Sequence, residues 1–184
     1  MLNFNYSWIY DQNIHWWNRK RLNPNSYKKT SSYIKKLENK WKKIDKTVFD
    51  TISEVSNLKW KNKEIECYVV NALIYSFSVP LTITTKNDLD QQIEILIHEL
   101  IHNIWIQNLD KIKIKDYNKY GKLNQNTKIH ILVHAIEKEV LIKLFGDEKT
   151  KKYIKTYDKS SDYKKAWNIV EKEGSRRIIR EWIK

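Results

Sequence analysis

The sequence predicts a mostly helical α+β fold in one domain of 184 residues. Two observations support this prediction. Apolar residues recur at helical spacing along most of the chain, and two short runs rich in β-branched and aromatic residues, "IECYVV" from Ile65 and "PLTITT" from Pro80, interrupt that pattern. The length also suffices to bury a core. Within this domain, residues 1–25 are a candidate N-terminal arm and residues 147–184 a C-terminal helical segment.

The first predicted element is a long helix that starts after Pro24. This proline stands between Asn23 and Asn25, and such clusters typically precede a new element. Apolar residues then follow at steps of three and four positions, which places them on one face that packs in the core. They are Ile34, Leu37, Trp41, Ile44, Val48, Ile52 and Val55.

Two short strands and a second helix are predicted next. The strands correspond to the runs from Ile65 and from Pro80, since proline is tolerated at the first position of a strand. Asp88 then stands three residues before Gln91. This capping-box pattern predicts a helix from there to about Asn108.

The C-terminal half of the chain is predicted to be helical. A third helix covers "NTKIHILVHAIEKEVLIKLFG", with Asn126 or Thr127 as its cap and Gly146 at its end. The remaining residues to Lys184 predict one or two amphipathic helices. Their apolar positions are Tyr163, Ala166, Trp167 and Val170 and, beyond Gly174, Ile178, Ile179 and Trp182.

The helix that follows Asp88 contains the sequence H-E-x-x-H at His98, Glu99 and His102. Residues four apart are about 40° apart around a helix, so the two imidazoles share one face and could bind one ion, whereas Glu99 is about 100° from His98. The helix is apolar on nearly every side, and two buried imidazoles with a carboxylate require a metal or a matched hydrogen-bond network. The pattern predicts a zinc site, with Glu99 close enough to hold the reacting water.

A catalytic zinc site needs a third protein ligand. The continuation H-x-x-G-x-x-H is absent, because Trp105 and Asn108 replace its glycine and its final histidine. The next helix carries His130, His134 and Glu137 in one narrow stripe. We predict His130 as the third ligand and keep His134 and Glu137 open as alternatives, in that order. The histidine that is not a ligand could donate to the developing oxyanion.

These features resemble the zincin metallopeptidases and are most similar to the small soluble gluzincin-type members sometimes called minigluzincins. The resemblance rests on "PLTITT", "HELIH" and "HILVHAIEKE", with "YKKAW" as a weaker echo. It implies a zincin-like fold, in which a small sheet with an edge strand packs against the H-E-x-x-H helix and a second ligand-bearing helix. It further implies that His98 and His102 bind Zn²⁺, that Glu99 is the general base, and that "PLTITT" is the edge strand with which a peptide pairs.

The sequence departs from the gluzincin pattern at one point. Gluzincins have a glutamate ligand with an aspartate four residues later, whereas Leu141 stands four residues after Glu137. If His130 is the ligand, His134 takes the place of the supporting aspartate.

The predicted function is hydrolysis of peptide bonds in a peptide or protein substrate. Zn²⁺ would lower the pKa of its water, and Glu99 would pass the proton to the leaving amine. A flanking segment, either the aromatic-rich N-terminal stretch or the C-terminal helix, could hold such an enzyme inactive. A related hypothesis is that the enzyme cleaves only one unknown partner protein. A di-iron or di-manganese bundle would need a second Glu-x-x-His, which the sequence lacks.

The composition leaves a different function open. A formal net charge of +13 fits a basic nucleic-acid-binding protein that uses lysines and the N-terminal tryptophans and tyrosines, with a structural or absent metal. Cys67 is the only cysteine, so no internal disulfide can form and a reducing compartment is expected. Because neither a secretory signal nor an apolar run of membrane-spanning length is visible, we expect a cytoplasmic protein without a membrane partner.

Overall fold

The computed structural model describes residues 1–19, 21, 23, 25–73, 75–113, 119–156 and 161–184. The helices in this part of the chain are α1 (Trp8–Trp17), α2 (Ser26–Trp41), α3 (Asp45–Ser56), α4 (Leu89–Gln107), α5 (Gln125–Phe145), α6 (Asp147–Thr156), α7 (Ser161–Glu173) and α8 (Ser175–Trp182). The strands are β1 (Leu2–Asn5), β2 (Ile65–Val70), β3 (Phe77–Ser78) and β4 (Leu81–Thr84). Many helices with one small mixed sheet confirm the prediction of a mostly helical α+β fold. None of the described helices combines the length and the hydropathy needed to cross a membrane.

Contacts between residues group the chain into two compact units. The first unit consists of Met1–Thr47 and Asn62–Asn103, and the second of Val48–Lys61 and Ile104–Lys184. The boundaries fall inside α3 and α4, so each of these helices has residues in both units. The candidate ligands on α4 belong to the first unit, and those on α5 belong to the second.

The first unit contains the sheet, whose described strands have the order β1-β2-β4-β3. β1 is parallel to β2, β2 is parallel to β4, and β3 is antiparallel to β4. β2 and β4 are the two strands predicted from the sequence. The prediction that "PLTITT" is the edge strand is wrong, because Phe77 and Ser78 of β3 pair with Thr82 and Leu81 and cover that side of β4. The edge strand beside β4 is therefore β3.

The N-terminal residues, predicted as an arm, form part of the first unit. β1 extends the sheet, with Leu2 opposite Ile65. Asp11 of α1 is fully buried at 0% exposure and accepts hydrogen bonds from the backbone N–H groups of Asn71 and Ala72 at 2.9 and 3.0 Å. These two bonds attach α1 to the segment that follows β2.

The long helix predicted after Pro24 consists of two helices in the structure, so that prediction is wrong. α2 ends at Trp41, and α3 begins at Asp45. The Trp41 indole N–H donates to the Asp45 carboxylate at 2.6 Å and bridges the break. Aspartate favours the first turn of a helix, where the backbone N–H groups carry positive partial charge, over a helix interior. Pro24 itself lies outside the described residues.

α4 begins and ends close to its predicted bounds. The predicted cap, Asp88, accepts hydrogen bonds from the N–H groups of Asp90 and Gln91, both at 2.9 Å. The helix ends at Gln107, one residue before the predicted end. Apolar side chains bury it around most of its axis, namely those of Ile93, Leu96, Ile97, Leu100, Ile101 and Ile104. Polar side chains on such a helix need partners, because an unpaired buried polar group is costly.

α5 is the central helix of the second unit and contacts α6, α7 and α8. Its cap is Asn124, whose side-chain oxygen accepts a hydrogen bond from the Thr127 N–H at 2.8 Å, so the prediction of Asn126 or Thr127 as the cap is wrong. The helix ends at Gly146 as predicted, with a φ of 85° that favours glycine. The described residues beyond Gly146 form three helices, not one or two, because α6 starts directly after Gly146 with acidic residues in its first turn.

Candidate metal centre

The two histidines of the H-E-x-x-H sequence converge on one face of α4. The Nε2 atoms of His98 and His102 lie 3.2 Å apart, and the ring planes are inclined at 68°. His98 is buried, with 3% of its surface exposed, and His102 is partly buried. A separation of 3.2 Å fits a hydrogen bond between the rings. It also fits two ligands of one tetrahedral zinc ion, because Zn–N bonds of about 2.0–2.1 Å place such nitrogens about 3.3 Å apart.

Glu99 is held in place by the edge strand of the sheet. Its side chain is largely buried, and its Oε2 accepts a hydrogen bond of 2.5 Å from the Ser78 hydroxyl of β3. Asn103, one turn further along α4, donates from Nδ2 to the backbone oxygens of Ser78 and Glu99 at 2.8 and 3.0 Å. These three bonds fix the position of the carboxylate relative to the two histidines.

Cys67 lies in β2 and is a core residue of the first unit. It has 0% exposure. Burial raises the pKa of its thiol well above its usual range, and the charges of Glu99 and Glu66 raise it further. The thiol therefore keeps its proton at neutral pH in the metal-free protein.

On α5, both histidines have a defined tautomer. His130 Nδ1 donates to the backbone oxygen of Asn126 at 2.8 Å, and His134 Nδ1 donates to Glu137 Oε2 at 2.8 Å. His134 and Glu137 have 0% exposure, and Glu137 Oε1 also accepts a hydrogen bond from the Tyr153 hydroxyl at 3.1 Å. A proton on Nδ1 leaves the lone pair of a neutral imidazole on Nε2. Metal-binding histidines usually donate their other N–H to a carboxylate or a backbone oxygen in this way.

Aromatic rings of α7 pack against both histidines of α5. The Tyr163 ring lies 4.2 Å from the His130 ring, between centroids. Trp167 stacks on His134 at 4.3 Å with an interplanar angle of 13°. These contacts restrict the rotation of each imidazole, so the orientation set by the Nδ1 hydrogen bonds is maintained.

The chemistry of these donors suits zinc. His98 and His102 in the first unit, and His130, His134 and Glu137 in the second, are among the buried or partly buried side chains that could hold a metal ion. Imidazole is a good ligand for zinc, and carboxylate is an accepted one. The assignment of His130 as the third ligand remains a prediction from the sequence.

Sequence reasoning missed three residues that contact the candidate ligands or Glu99. Ser78 had no signal, because its bond to Glu99 depends on a two-residue strand. Tyr153 was not among the apolar positions assigned to the predicted C-terminal helical segment, and its bond to Glu137 depends on how α6 packs against α5. Asn103 follows His102 directly and lies four residues after Glu99, which places its amide near the backbone oxygen of that residue. Its position on the helix was therefore a usable signal.

Comparison with known proteins adds no relative. No protein-family model matches the chain, and neither a curated protein nor a solved structure is significantly similar to it.

Proposed function

We propose that the protein is a zinc-dependent metallopeptidase, the activity that the resemblance to zincins implies. One observation supports this proposal more than any other. The Nε2 atoms of His98 and His102 lie 3.2 Å apart on a buried helix, and the intervening Glu99 carboxylate is fixed by Ser78. His98 and His102 would hold the ion. Zinc peptidases of the H-E-x-x-H type use such a pair of neutral imidazoles with an adjacent carboxylate.

Glu99 is the proposed general base and general acid. Zinc would supply Lewis acidity, lowering the pKa of a water molecule toward about 7 and polarising the substrate carbonyl. Glu99 takes one proton from the attacking water, and the water oxygen forms the new bond to the carbonyl carbon. Glu99 then gives this proton to the nitrogen of the scissile bond, and the C–N bond breaks. The products are one carboxylic acid and one amine, so the atoms balance.

Ser78 and Asn103 act as positioning residues in this proposal. The Ser78 hydroxyl bonds to Glu99 Oε2, and Asn103 holds the Ser78 backbone in turn. A general base has to stay within hydrogen-bond reach of the proton that it removes. The hydrogen bond from Ser78 helps to meet that requirement, because it limits the rotation of the Glu99 side chain.

The third ligand is proposed from the sequence to be His130, with His134 and Glu137 as alternatives. Both histidines carry the proton on Nδ1, which leaves Nε2 as the coordinating atom in each. Alanine variants of the two histidines decide between them by the metal that each variant retains.

The test combines metal analysis with one conservative substitution. Elemental analysis of protein purified without chelators is expected to find about one zinc per chain. Glu99→Gln should keep that zinc and lose hydrolysis of a proteome-derived peptide library, which also detects an enzyme with a narrow specificity. Asp90→Asn is the matched control, because Asp90 is an exposed carboxylate on the same helix, paired with Lys40. Absence of metal, with none taken up from added zinc, would overturn the proposal.

A further inference from the structure

A basic groove lies on the first unit, and it shares no residue with the candidate metal centre. Its volume is about 530 Å³. Most of its wall comes from one face of α2. The lining residues are Lys28, Lys29, Ser32, Tyr33 and Lys36 of α2, with Asn71 and Thr85 from the segments that follow β2 and β4. We call this feature the α2 groove.

The α2 groove carries three lysine side chains. Lys28, Lys29 and Lys36 are exposed and form no ion pair with any described residue. Lys40, on the same helix, behaves differently and pairs with Asp90 at 2.8 Å. Among the described residues, no acidic side chain lines the groove. Three ammonium groups on one helix face, none in an ion pair with a described residue, favour an anionic ligand.

The rest of the groove wall is polar and fixed. Asn71 Nδ2 donates to the Thr85 hydroxyl at 3.0 Å, and the Asn71 backbone N–H donates to Asp11 at 2.9 Å. The Tyr33 hydroxyl donates to the backbone oxygen of Asn87 at 3.1 Å, which fixes the tyrosine ring as part of the wall. An aromatic ring beside lysines is the combination with which proteins bind single-stranded nucleic acid.

We propose that the α2 groove binds a single-stranded nucleic acid through its phosphate groups. Lys28 and Lys36 are eight residues apart, which separates them by about 12 Å along the helix axis. That separation favours a chain of phosphates over a single phosphate. A groove of about 530 Å³ has room for one or two nucleotides. The formal net charge of +13 adds long-range attraction for a polyanion.

The first test compares two triple variants that remove the same charge. Lys28→Gln with Lys29→Gln and Lys36→Gln changes the groove and lowers the formal net charge from +13 to +10. The control changes three lysines that are exposed on α6 and α7, by Lys152→Gln with Lys155→Gln and Lys172→Gln, and reaches the same +10. Each protein is titrated into fluorescently labelled oligo(dT) and oligo(U) at several salt concentrations.

The groove variant should bind both oligonucleotides about tenfold more weakly than the wild type, and the control should stay close to the wild type. The slope of log affinity against log salt should become shallower by about 2, because each lost phosphate contact removes about 0.7. Equal losses in the two triple variants would overturn the proposal, since the attraction would then be spread over the surface. Equal affinity for a duplex, or displacement of the oligonucleotide by stoichiometric mononucleotide or inorganic phosphate, would also overturn it.

The second test adds charge at one position. Ser32 is exposed and lies four residues from both Lys28 and Lys36, so Ser32→Asp places a carboxylate beside both ammonium groups. Ser32→Asn is the neutral control of similar size. Oligonucleotide affinity should fall for the aspartate variant only, and a similar effect of both would contradict the proposal. Glu99→Gln should leave the oligonucleotide affinity unchanged. The proposed nucleic-acid site and the proposed peptidase activity can therefore be tested separately.

Discussion

Ser78 on β3 donates a hydrogen bond of 2.5 Å to the carboxylate of Glu99 on α4. This bond joins residues 21 positions apart in the chain. It connects the edge strand of the sheet to the helix that carries the H-E-x-x-H sequence. The position of the proposed general base therefore depends on a residue of a different element.

Ser78→Ala should lower kcat of peptide hydrolysis by about tenfold or more and leave zinc content unchanged. A hydrogen bond to a charged group contributes about 1.5–3 kcal/mol, and 1.36 kcal/mol corresponds to a factor of ten in rate. Ser78→Thr, which keeps the hydroxyl, should restore most of the rate. Ser76→Ala, two residues before Ser78, serves as the control. An unchanged kcat in Ser78→Ala would show that the bond does not position Glu99.

His98→Ala and His102→Ala should each reduce bound zinc from about one per chain to near zero, because two ligands cannot replace three. His130→Ala should do the same if His130 is the third ligand. His15→Gln is the control, since His15 is a buried histidine that bonds within α1, to the backbone oxygen of Asp11. Elemental analysis after dialysis measures the metal. Full zinc retention by His98→Ala would contradict the assignment.

Cys67 should react slowly with a thiol reagent in the folded protein. Burial raises the pKa of its thiol, so the folded protein keeps the proton at pH values where the unfolded chain, with a pKa near 8.5, has begun to lose it. This contribution to stability is complete below about pH 8.5 and is lost as the pH rises through the higher folded pKa. The rate of disulfide exchange at pH 8 should increase about 100-fold in urea. Rapid reaction without urea would show that the thiol is accessible.

Tyr120 should lose its proton late in an alkaline titration. Burial and the hydrogen bond that it donates to Glu173 raise the pKa of Tyr120 to about 12. The folded state then holds a proton that the unfolded state releases near pH 10, so stability declines as the pH rises between these values. Tyr120→Phe should show a smaller decline of the urea midpoint from pH 10 to 12. Identical pH profiles for wild type and variant would contradict the expectation.

Tyr153→Phe should destabilise the second unit by about 1–3 kcal/mol, because it removes a hydrogen bond from a fully buried carboxylate. Urea unfolding measures the change. Tyr27→Phe is the control, since the Tyr27 side chain is 57% exposed. Equal stability of the two variants would indicate that Glu137 gains another donor when Tyr153 is lost.

Local sequence signals predicted the elements whose causes are local. The Asp88 cap, the apolar residues of α4 and the Gly146 end of α5 all act within a few residues, and the structure places them as predicted. The 40° offset within H-E-x-x-H predicted that the two imidazoles would share a face. Their Nε2 atoms, 3.2 Å apart, agree with it.

Long-range contacts explain the elements that the sequence did not predict. β1 is paired with a strand more than 60 residues away, with Leu2 opposite Ile65, and β3 has only two residues. β3 is too short to show a period of two, and the four residues of β1 do not alternate between buried and exposed positions. The Trp41 indole N–H bonds to Asp45 across the break between α2 and α3. The sequence did not reveal this break, because the apolar residues of both helices follow one continuous helical spacing. The Ser78 to Glu99 bond could not be predicted without knowing that β3 exists.

Each compact unit is assembled from two separate stretches of chain, and this affects the order in which the units can form during synthesis. Residues 48–61 of the second unit leave the ribosome about 40 residues before its remaining part, residues 104–184, begins to emerge. Val48, Ile52 and Leu58 are buried in the finished protein. During that interval, residues 104–184 of the same unit have not yet been synthesised. The second unit therefore cannot be expressed as one continuous native fragment, and its early apolar segment is exposed to aggregation until residues 104–184 have been made.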